Sequence, residues 1–122
     1  MKAQVLAIDD SRTIRSLLAA TLEEYDFEVT TAVDGVDGLE KFAETTPKVV
    51  ITDINMPNLD GFGVIEGIRG GSVNKTVPII VLSTESGADL KDRARKAGAT
   101  GWIVKPFDET SLVSVLKRIT GI

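Results

Sequence analysis

Short apolar runs alternate with segments of helical periodicity, and this alternation repeats five times along the 122 residues. Parallel strands need a crossover connection between them, and a helix is the usual crossover, so the pattern is typical of a parallel sheet with helices on both faces. The apolar runs predict strands at residues 4–8, 27–32, 48–52, 77–82 and 100–104. We therefore expect one α/β domain over residues 1–122, a length that suits a single core.

Each predicted strand is followed by a helical stripe, in which apolar residues recur three or four positions apart. The five stripes are Ile14, Leu17, Leu18, Leu22 and Tyr25; Val36, Leu39 and Phe42; Phe62, Ile65 and Ile68; Leu90, Ala94 and Ala97; and Leu112, Val115, Leu116 and Ile119. The second helix should end before Pro47. Asp60 is a suitable N-cap for the third helix, and Gly98 can end the fourth.

The predicted strands differ in how evenly they are apolar. Strand 27–32 alternates apolar and polar residues, so we expect it at an edge of the sheet. The other four are nearly all apolar, as strands covered on both faces are. For the whole sheet we expect a doubly wound, flavodoxin-like (βα)5 arrangement with strand order 2-1-3-4-5, an order taken from known sheets of this class rather than from these residues.

Composition excludes several classes of function. Cysteine and histidine are both absent, which excludes disulfides, thiolate sites and histidine catalysis and fits a reducing cytoplasm. No apolar run approaches the roughly 18 residues of a membrane span, and the N-terminal segment does not resemble a signal peptide. Net charge is −4, with −7 in residues 1–61 and +3 in residues 62–122, so general nucleic-acid binding is not expected.

Polar side chains stand where four of the predicted strands end. The first strand is followed by Asp9 and Asp10, the third by Asp53, the fourth by Ser83 and the fifth by Lys105. Ligands of open α/β sheets bind outside the carboxyl ends of the strands, so these side chains should meet at one edge. Taken singly, each has an ordinary interpretation: a helix cap for Asp9 or Asp10, a loop aspartate for Asp53, a turn residue for Ser83 and a solvated lysine for Lys105.

Taken together, these residues predict a phosphoryl-transfer site. Three carboxylates at one edge repel one another and retain protons unless a cation joins them, and carboxylate, carbonyl and water oxygens are the ligands of Mg²⁺. Beside such a metal, Asp53 is a suitable phosphoryl acceptor, because the metal keeps the carboxylate deprotonated and neutralises phosphoryl oxygens. Lys105 adds positive charge toward the transferring group, and the Ser83 hydroxyl can donate a hydrogen bond to it.

Four segments resemble the receiver domain of two-component response regulators, and most closely the CheY-like chemotaxis regulators. They are IDDSRTIR, DINMPNLDG, VLSTES and AGATGWIVKPF, and the resemblance extends over essentially the whole chain. It implies a receiver domain over residues 1–122 that accepts a phosphoryl group from a histidine kinase. It also implies a signalling protein rather than an enzyme, although one that catalyses its own phosphorylation and dephosphorylation.

The resemblance implies a role for each residue at the edge. Asp53 would be the phosphoacceptor, and Lys105 the lysine that contacts the phosphoryl group. Asp10, Asp53 and the backbone carbonyl of Asn55 would bind Mg²⁺, with Asp9 acting through water. The bond from Lys105 to Pro106 is expected to be cis.

The resemblance also implies residues that control signalling. Ser83 would bond the phosphoryl group and act as a switch residue together with Trp102, and Asn55 and Glu85 would tune the phosphoryl lifetime. Trp102 departs from the family, which usually has Tyr or Phe at this position, so a simple rotamer switch does not follow. The alternative is an edge aromatic packed on the last helix. The thin stripe of helix 90–97 predicts either a solvated helix or a mobile output element.

Partners follow from the same resemblance. A sensor histidine kinase of the CheA-like type would be the phosphodonor, with a flagellar motor switch as the downstream protein and a dedicated phosphatase as a further partner. The output face would be formed by helix 4, strand 5 and helix 5. Its basic residues would be Lys91, Arg93, Arg95, Lys96, Lys117 and Arg118. We expect a cytoplasmic monomer without nucleic-acid or membrane partners, whose output passes to a separate protein because no further domain follows Ile122.

Other functions remain to be weighed. A phosphate sink or a phosphorelay intermediate would use the same site without binding the motor. A haloacid-dehalogenase-like hydrolase needs a second aspartate where this sequence has Asn55. A flavin or nucleotide binder needs a glycine- or hydroxyl-rich loop after the first strand, where two acids stand instead. A degenerate receiver acting only as a scaffold would have lost some of the acids, the hydroxyl or the lysine.

Overall fold

The structure is a computed structural model that describes residues 2–121. Its strands are β1 (Ala3–Ile8), β2 (Phe27–Ala32), β3 (Val49–Thr52), β4 (Ile79–Ser83) and β5 (Gly101–Val104). Its helices are α1 (Arg12–Glu23), α2 (Gly35–Glu44), α3 (Gly61–Arg69), α4 (Ala88–Ala97) and α5 (Glu109–Thr120). The predicted alternation of strands and helices is confirmed, and the strand boundaries differ from the predicted ones by at most two residues.

The five strands form one parallel sheet in the order β2-β1-β3-β4-β5, as predicted. In this sheet Ile8 of β1 is paired with Thr52 of β3. Asp9 and Asp53 therefore follow directly after two paired residues. The amide N–H of Asp53 continues the ladder by one bond to the carbonyl of Ile8 (3.0 Å). The register thus places the two acids beside each other.

Apolar side chains cover both faces of the sheet. One cluster contains Val5 and Leu18 and packs α1 and α5 against the first face. The other contains Leu6 and Phe62 and packs α2, α3 and α4 against the opposite face. Successive residues of β1 belong to different clusters because successive side chains of a strand point to opposite faces. The helices on both faces make the sheet doubly wound, as the near-uniform apolar strands predicted.

The two edges of the sheet differ from its centre. β2 lies at one edge, as its alternating pattern predicted, and exposes Glu28. β3 and β4 are buried throughout, whereas β5 is half-buried and its Val104 is 39% exposed. Both faces of β5 are covered only in part, with Trp102 packed against one cluster and Ile103 against the other, so this strand is less buried than its apolar sequence predicted. Strand β5 pairs only with β4, and the neighbouring α4 buries a single residue, Ala94.

Three residues of the predicted helical stripes do not face the core. Leu17 of α1 and Val36 of α2 are 42% and 45% exposed. Tyr25 lies beyond the end of α1 at Glu23 and is also exposed. Leu17 differs in direction from its buried neighbour Leu18 by roughly 100°, one residue's rotation in a helix. The α1 stripe is therefore narrower than the run of leucines suggested.

Helix ends are defined by short polar side chains and by glycine. Four helices begin with a side chain that accepts a hydrogen bond from the amide N–H three residues on: Ser11, Asp34, Asp60 and Asp108. The cap predicted for Asp60 is confirmed, and Ser11 rather than Asp9 or Asp10 caps α1. Gly98 ends α4 with φ of 115°, as predicted, but α4 begins at Gly87 without a side-chain cap. Among the helices of residues 2–121, none has the length and apolar character needed to cross a membrane.

Candidate functional site at the carboxyl end of the sheet

Three carboxylates meet beyond the ends of β1 and β3. Asp9, Asp10 and Asp53 each offer a carboxylate oxygen, and these oxygens lie within 4.8 Å of one another. Asp9 is 1% exposed and Asp53 is 9% exposed, whereas Asp10 is exposed. The structure therefore brings together the acids that the sequence placed at this edge, with two of them largely removed from water and the third open to it.

Every polar group of Asp53 has a partner. Its amide N–H donates to the Ile8 carbonyl, and its own carbonyl accepts a bond from the Thr52 hydroxyl (2.9 Å). One carboxylate oxygen, Oδ1, accepts the amide N–H of Ile54 (2.7 Å), and Oδ2 accepts Lys105 Nζ (3.1 Å). These bonds fix both the backbone and the side chain, so the carboxylate is held in one orientation before any ligand binds.

The loop after Asp53 returns to pack against it at Gly61, the first residue of α3. A Cβ atom at this position would lie 2.2 Å from the Asp53 carbonyl oxygen, a distance that no side chain tolerates. The Gly61 amide N–H donates to the carbonyl of Ile54 (2.9 Å). Asn58 in the same loop donates to Asp34 Oδ2 (2.7 Å) at the start of α2. The loop is thus anchored at two points, one of which requires glycine.

Lys105 joins two of the acids. Its Nζ lies 2.7 Å from Asp9 Oδ2 and 3.1 Å from Asp53 Oδ2, and its side chain is 10% exposed. Burial lowers the pKa of Lys105, but hydrogen bonds to Asp9 and Asp53 and the charges of these acids outweigh it and leave the pKa raised. The lysine therefore remains a cation. The bond from Lys105 to Pro106 is cis, as expected.

One lysine does not balance three carboxylates. Burial raises the pKa of Asp9, and the charge of Asp53 raises it further, although the bonds from Lys105 and from the Ser11 amide act in the opposite direction. The raised pKa means that the buried negative charge of Asp9 is unfavourable unless positive charge compensates it. A divalent cation supplies such charge, and a set of neighbouring carboxylate oxygens is the donor chemistry that Mg²⁺ prefers. The residues present therefore fit a magnesium ion.

Ser83 lies at the end of β4 and is fully buried. Its hydroxyl oxygen accepts the Glu85 amide N–H (3.2 Å), and its carbonyl accepts the amide N–H of Lys105 (2.8 Å). Within residues 2–121, no hydrogen bond joins its hydroxyl to Asp53 or to the lysine side chain. Ser83 is therefore linked to the site through the backbone.

Glu85 connects the mouth of the site to Trp102. Its carboxylate lies 3.5 Å from Asn55 Nδ2, the long limit of a hydrogen bond, and both side chains are exposed. Its backbone carbonyl accepts the indole N–H of Trp102 (2.9 Å). Sequence patterns carry no signal for this second contact, because any residue at position 85 offers the same carbonyl.

Trp102 is half-buried on the α4 side of the sheet. It packs against the cluster formed by α2, α3 and α4 and lines a cavity of about 150 Å³ together with Lys91, Ala94 and Arg95. The alternative in which this aromatic packs on the last helix is therefore wrong. The reason is geometric: Trp102 is on the face of β5 opposite to that of Ile103, which packs with the α1–α5 cluster.

Four of the basic residues expected on one output face make contacts with different partners. Arg93 lies 3.8 Å above the Phe62 ring centroid of α3, and Lys117 lies 5.4 Å from the ring centroid of Tyr25. Arg95 and Lys96 both pair with Asp92 on their own helix. Arg93 and Lys117 each contact an aromatic ring outside the expected face, and the shared output surface stays a prediction.

Comparison with known proteins identifies the family of this chain. Residues 5–117 match the family described as the response regulator receiver domain. The protein PilG of Pseudomonas aeruginosa is 38% identical over 93% of this chain and 84% of its own length. The chemotaxis protein CheY1 of Helicobacter pylori is 38% identical over 97% of both chains. Other relatives are transcriptional regulatory proteins, and this chain spans 49% of the length of one of them.

A solved structure shows the same fold. The chemotaxis protein CheY4 of Vibrio cholerae superposes with a TM-score of 0.93 at 40% identity, over 98% of this chain and 99% of that one. Its sequence similarity and shared fold agree with the family match over residues 5–117. The chain therefore belongs to the receiver domain family of response regulators.

Proposed function

We propose that residues 1–122 act as one cytoplasmic receiver domain that accepts a phosphoryl group on Asp53 in the presence of Mg²⁺. The observation that carries the proposal is the contact of the buried Asp53 carboxylate with Lys105, inside a cluster of three acids. An isolated buried aspartate needs no such neighbours. A nucleophile for phosphoryl transfer needs both a fixed orientation and positive charge around the transferring group.

The phosphodonor is a phosphohistidine of a CheA-like sensor histidine kinase. An Asp53 carboxylate oxygen forms a bond to phosphorus as the P–N bond of the donor breaks, and the departing imidazole takes up a proton. Lys105 lies against the attacking carboxylate and places its charge beside the phosphoryl oxygens. The bonds that hold Asp53 orient the carboxylate without rearrangement, which is the main contribution that a protein makes to this reaction.

Asp10, Asp53 and the Asn55 carbonyl would hold Mg²⁺, with Asp9 acting through water. Bound magnesium supplies positive charge that neutralises the phosphoryl oxygens and the neighbouring carboxylates. Asp10 is the exposed member of the cluster and can be reached by a hydrated ion. Asn55 and Glu85 stand at the exposed mouth, where they would control the approach of water to the acyl phosphate and so tune its lifetime.

Output would pass from Ser83 and Glu85 to Trp102 and α4. The Ser83 hydroxyl is bonded to the Glu85 amide, and the Glu85 carbonyl is bonded to the indole, so a new bond from Ser83 to a phosphoryl oxygen would disturb both. Such a disturbance would bias α4 and β5 between two states. Because two of the similar proteins are named as chemotaxis proteins, we assign the downstream partner as a flagellar motor switch, with a phosphatase to reset the signal.

Phosphorylation is tested by incubating the protein with Mg²⁺ and acetyl phosphate and recording its intact mass. We expect the added mass of one phosphoryl group in the wild type, and none in Asp53→Asn or when the metal is chelated. Beryllofluoride with Mg²⁺ should change the fluorescence of Trp102, which is the only tryptophan. Equal phosphorylation of the wild type and Asp53→Asn would show that Asp53 is not the acceptor.

The output assignment needs a separate binding experiment. Affinity for a motor-switch peptide is measured with and without beryllofluoride, and tighter binding on activation supports the motor assignment. Unchanged affinity, in a protein that is phosphorylated normally on Asp53, would favour a phosphate sink or a relay intermediate instead.

A further inference from the structure

The peptide group between Asp9 and Asp10 lies just beyond β1, where the sheet no longer supplies hydrogen-bond partners. The Asp9 amide N–H still donates to the carbonyl of Ala32 (3.1 Å) in β2. Among residues 2–121 the Asp9 carbonyl has no strand partner, and it instead accepts a bond from the guanidinium of Arg15 (2.8 Å). Because a partly buried carbonyl without a partner is unfavourable, Arg15 supplies a bond that the backbone cannot make here.

Asp9 and Asp10 are held by different means. The Asp9 carboxylate accepts the Ser11 amide N–H (2.9 Å) and Lys105 Nζ (2.7 Å). In the part of the chain that the structure describes, no such bond holds the carboxylate of Asp10. Its position depends on the backbone, and the carbonyl that Arg15 binds belongs to the same peptide plane as the amide of Asp10.

Helix geometry explains why residue 15 makes this contact. Side chains of a helix tilt toward its N-terminus, so a residue in the first turn of α1 reaches back toward Asp9. Arg15 is half-buried in this position. Arg12 belongs to the same turn, but it is exposed, and within residues 2–121 its side chain makes no hydrogen bond or ion pair. Two arginines of equal charge thus differ in their contact with the acid segment.

We propose that Arg15 is a positioning residue for the metal site, since its bond to the Asp9 carbonyl fixes the peptide plane that directs the Asp10 carboxylate. The inference rests on the proposed function, in which Asp10 is a ligand of Mg²⁺. Arg15 would then act like the hydrogen-bond partners of metal ligands in other proteins, which orient a ligand without contacting the ion.

Removal of Arg15 deletes both a positive charge and a hydrogen bond, and these two losses should change the Mg²⁺ affinity in opposite directions. A guanidinium near a cation site repels the cation, so its loss by charge alone should tighten Mg²⁺ binding. If Arg15 positions Asp10, its loss should weaken binding, on the order of tenfold as for other outer partners of metal ligands. Arg12→Met removes the same charge from the same turn without breaking the bond, and it reports the effect of charge alone.

The experiment is a calorimetric titration of Mg²⁺ into the full-length wild type, Arg15→Met, Arg12→Met and Arg15→Lys. We expect weaker binding for Arg15→Met, unchanged or tighter binding for Arg12→Met, and partial recovery for Arg15→Lys, which keeps a donor and the charge. Binding by Arg15→Met as tight as that of Arg12→Met would overturn the proposal. Should Arg15→Met fail to fold, Arg15→Gln provides the same comparison.

A metal-free measurement separates this inference from the proposed function. Amide hydrogen exchange of Asp10 and Ser11 should be faster in Arg15→Met than in Arg12→Met, since only the former frees the Asp9 carbonyl. If the wild type binds no Mg²⁺ at all, the proposed metal site is wrong, and the exchange data alone decide the role of Arg15. Equal exchange in the two variants would then overturn it.

Discussion

All four polar groups of Asp53 are hydrogen-bonded, whereas α4, at the other side of the same sheet, buries only Ala94. The first region lies at the end of two strands in the centre of the sheet. The second lies beside β5, an edge strand that is half-buried. One sheet therefore carries a site fixed by hydrogen bonds and a helix held by few apolar contacts.

In the proposed function, this difference separates the site of phosphoryl transfer from the helix that carries the output. A site whose dipoles and charges are already in place does not have to reorganise when a phosphoryl group arrives. A helix with little buried apolar surface can shift at a low free-energy cost, and regions of low local stability are where conformational signals arise. The bond from Trp102 to the Glu85 carbonyl is the connection between the two regions.

Removal of Lys105 should have the largest effect, because it leaves Asp9 and Asp53 buried without their cation. In metal-free Lys105→Met we expect the free energy of unfolding at neutral pH to fall by about 3 kcal/mol, the magnitude found when one partner of a buried pair is lost. Chemical denaturation followed by Trp102 fluorescence measures it. Added Mg²⁺ should restore part of the loss by mass action.

The matched control on α4 is Lys96→Met. Lys96 pairs with Asp92 (2.9 Å), but its side chain is 75% exposed, so its loss should change the unfolding free energy by no more than about 0.5 kcal/mol. Similar losses for the two lysines would show that the site is no more tightly organised than α4.

Two glycines test the same comparison through packing. Gly61→Ala places a methyl group against the Asp53 carbonyl, and we expect a loss of about 2 kcal/mol together with slower phosphorylation, because the backbone that carries the acceptor must shift. Gly87→Ala at the start of α4 meets nothing within 4 Å and should cost only a few tenths of a kcal/mol. A Gly61→Ala variant that is as stable and as active as Gly87→Ala would contradict the close packing.

Acidification should affect the site before it affects α4. Because the pKa of Asp9 is raised by burial, protons compete with Mg²⁺ at a higher pH than they would at an ordinary aspartate. Below that pKa we expect Mg²⁺ affinity to fall by about tenfold per pH unit, measured by calorimetry at decreasing pH. The folding stability of the metal-free protein should change in the other direction. Because the pKa of Asp9 is raised in the folded state, the folded protein binds the proton more tightly than the unfolded chain, and the contribution of Asp9 to the free energy of unfolding increases as the pH falls.

Asp92 on α4 provides the contrast. Hydrogen bonds from Lys96 and Arg95 lower its pKa, so it stays ionised while Asp9 titrates. The variant Asp92→Asn should therefore keep the pH profile of the wild type for Mg²⁺ binding. A shifted profile in this variant would show that α4 and the site titrate together.

The alternation of strands and helices and the acid edge could be predicted because both follow from local sequence patterns. The carboxyl ends of parallel strands share one edge of the sheet. The sequence alone was therefore enough to predict that Asp9, Asp53 and Lys105 lie near one another. The order 2-1-3-4-5 was taken from known sheets of this class, since apolar strands carry no direct record of their neighbours. The lower burial of β5 was not predicted, because apolar composition does not distinguish a central strand from an edge strand beside a helix that buries few residues.

Contacts that depend on backbone atoms or on side-chain direction could not be predicted. The bond from Arg15 to the Asp9 carbonyl spans six residues and follows no periodic pattern. The contact of Arg93 with Phe62 was not predicted for a related reason: charge can be read from sequence, but the direction of a side chain depends on how α4 lies against α3.

The smallest expected effect concerns that contact of Arg93. Its guanidinium carbon lies 3.8 Å above the ring centroid of the buried Phe62, an arrangement worth about 0.5–1 kcal/mol at a partly exposed site. In α4, which buries Ala94 and packs Leu90 and Ala97 in part, this contact adds to the apolar contacts that hold the helix. We expect Arg93→Met to raise amide hydrogen exchange within α4 by roughly two- to fivefold without changing exchange at Asp53.

Arg95→Met is the control, because Arg95 is equally charged but pairs only with Asp92 on its own helix. A double variant with Phe62→Leu should exchange no faster in α4 than Phe62→Leu alone, since the ring that Arg93 contacts is already absent. If Arg93 holds α4 in its inactive position, Arg93→Met should also bind beryllofluoride more tightly, as less free energy is then needed to move the helix. Equal exchange in Arg93→Met and Arg95→Met would place the restraint on α4 elsewhere, and the bond from Trp102 to Glu85 would then be the contact to remove next.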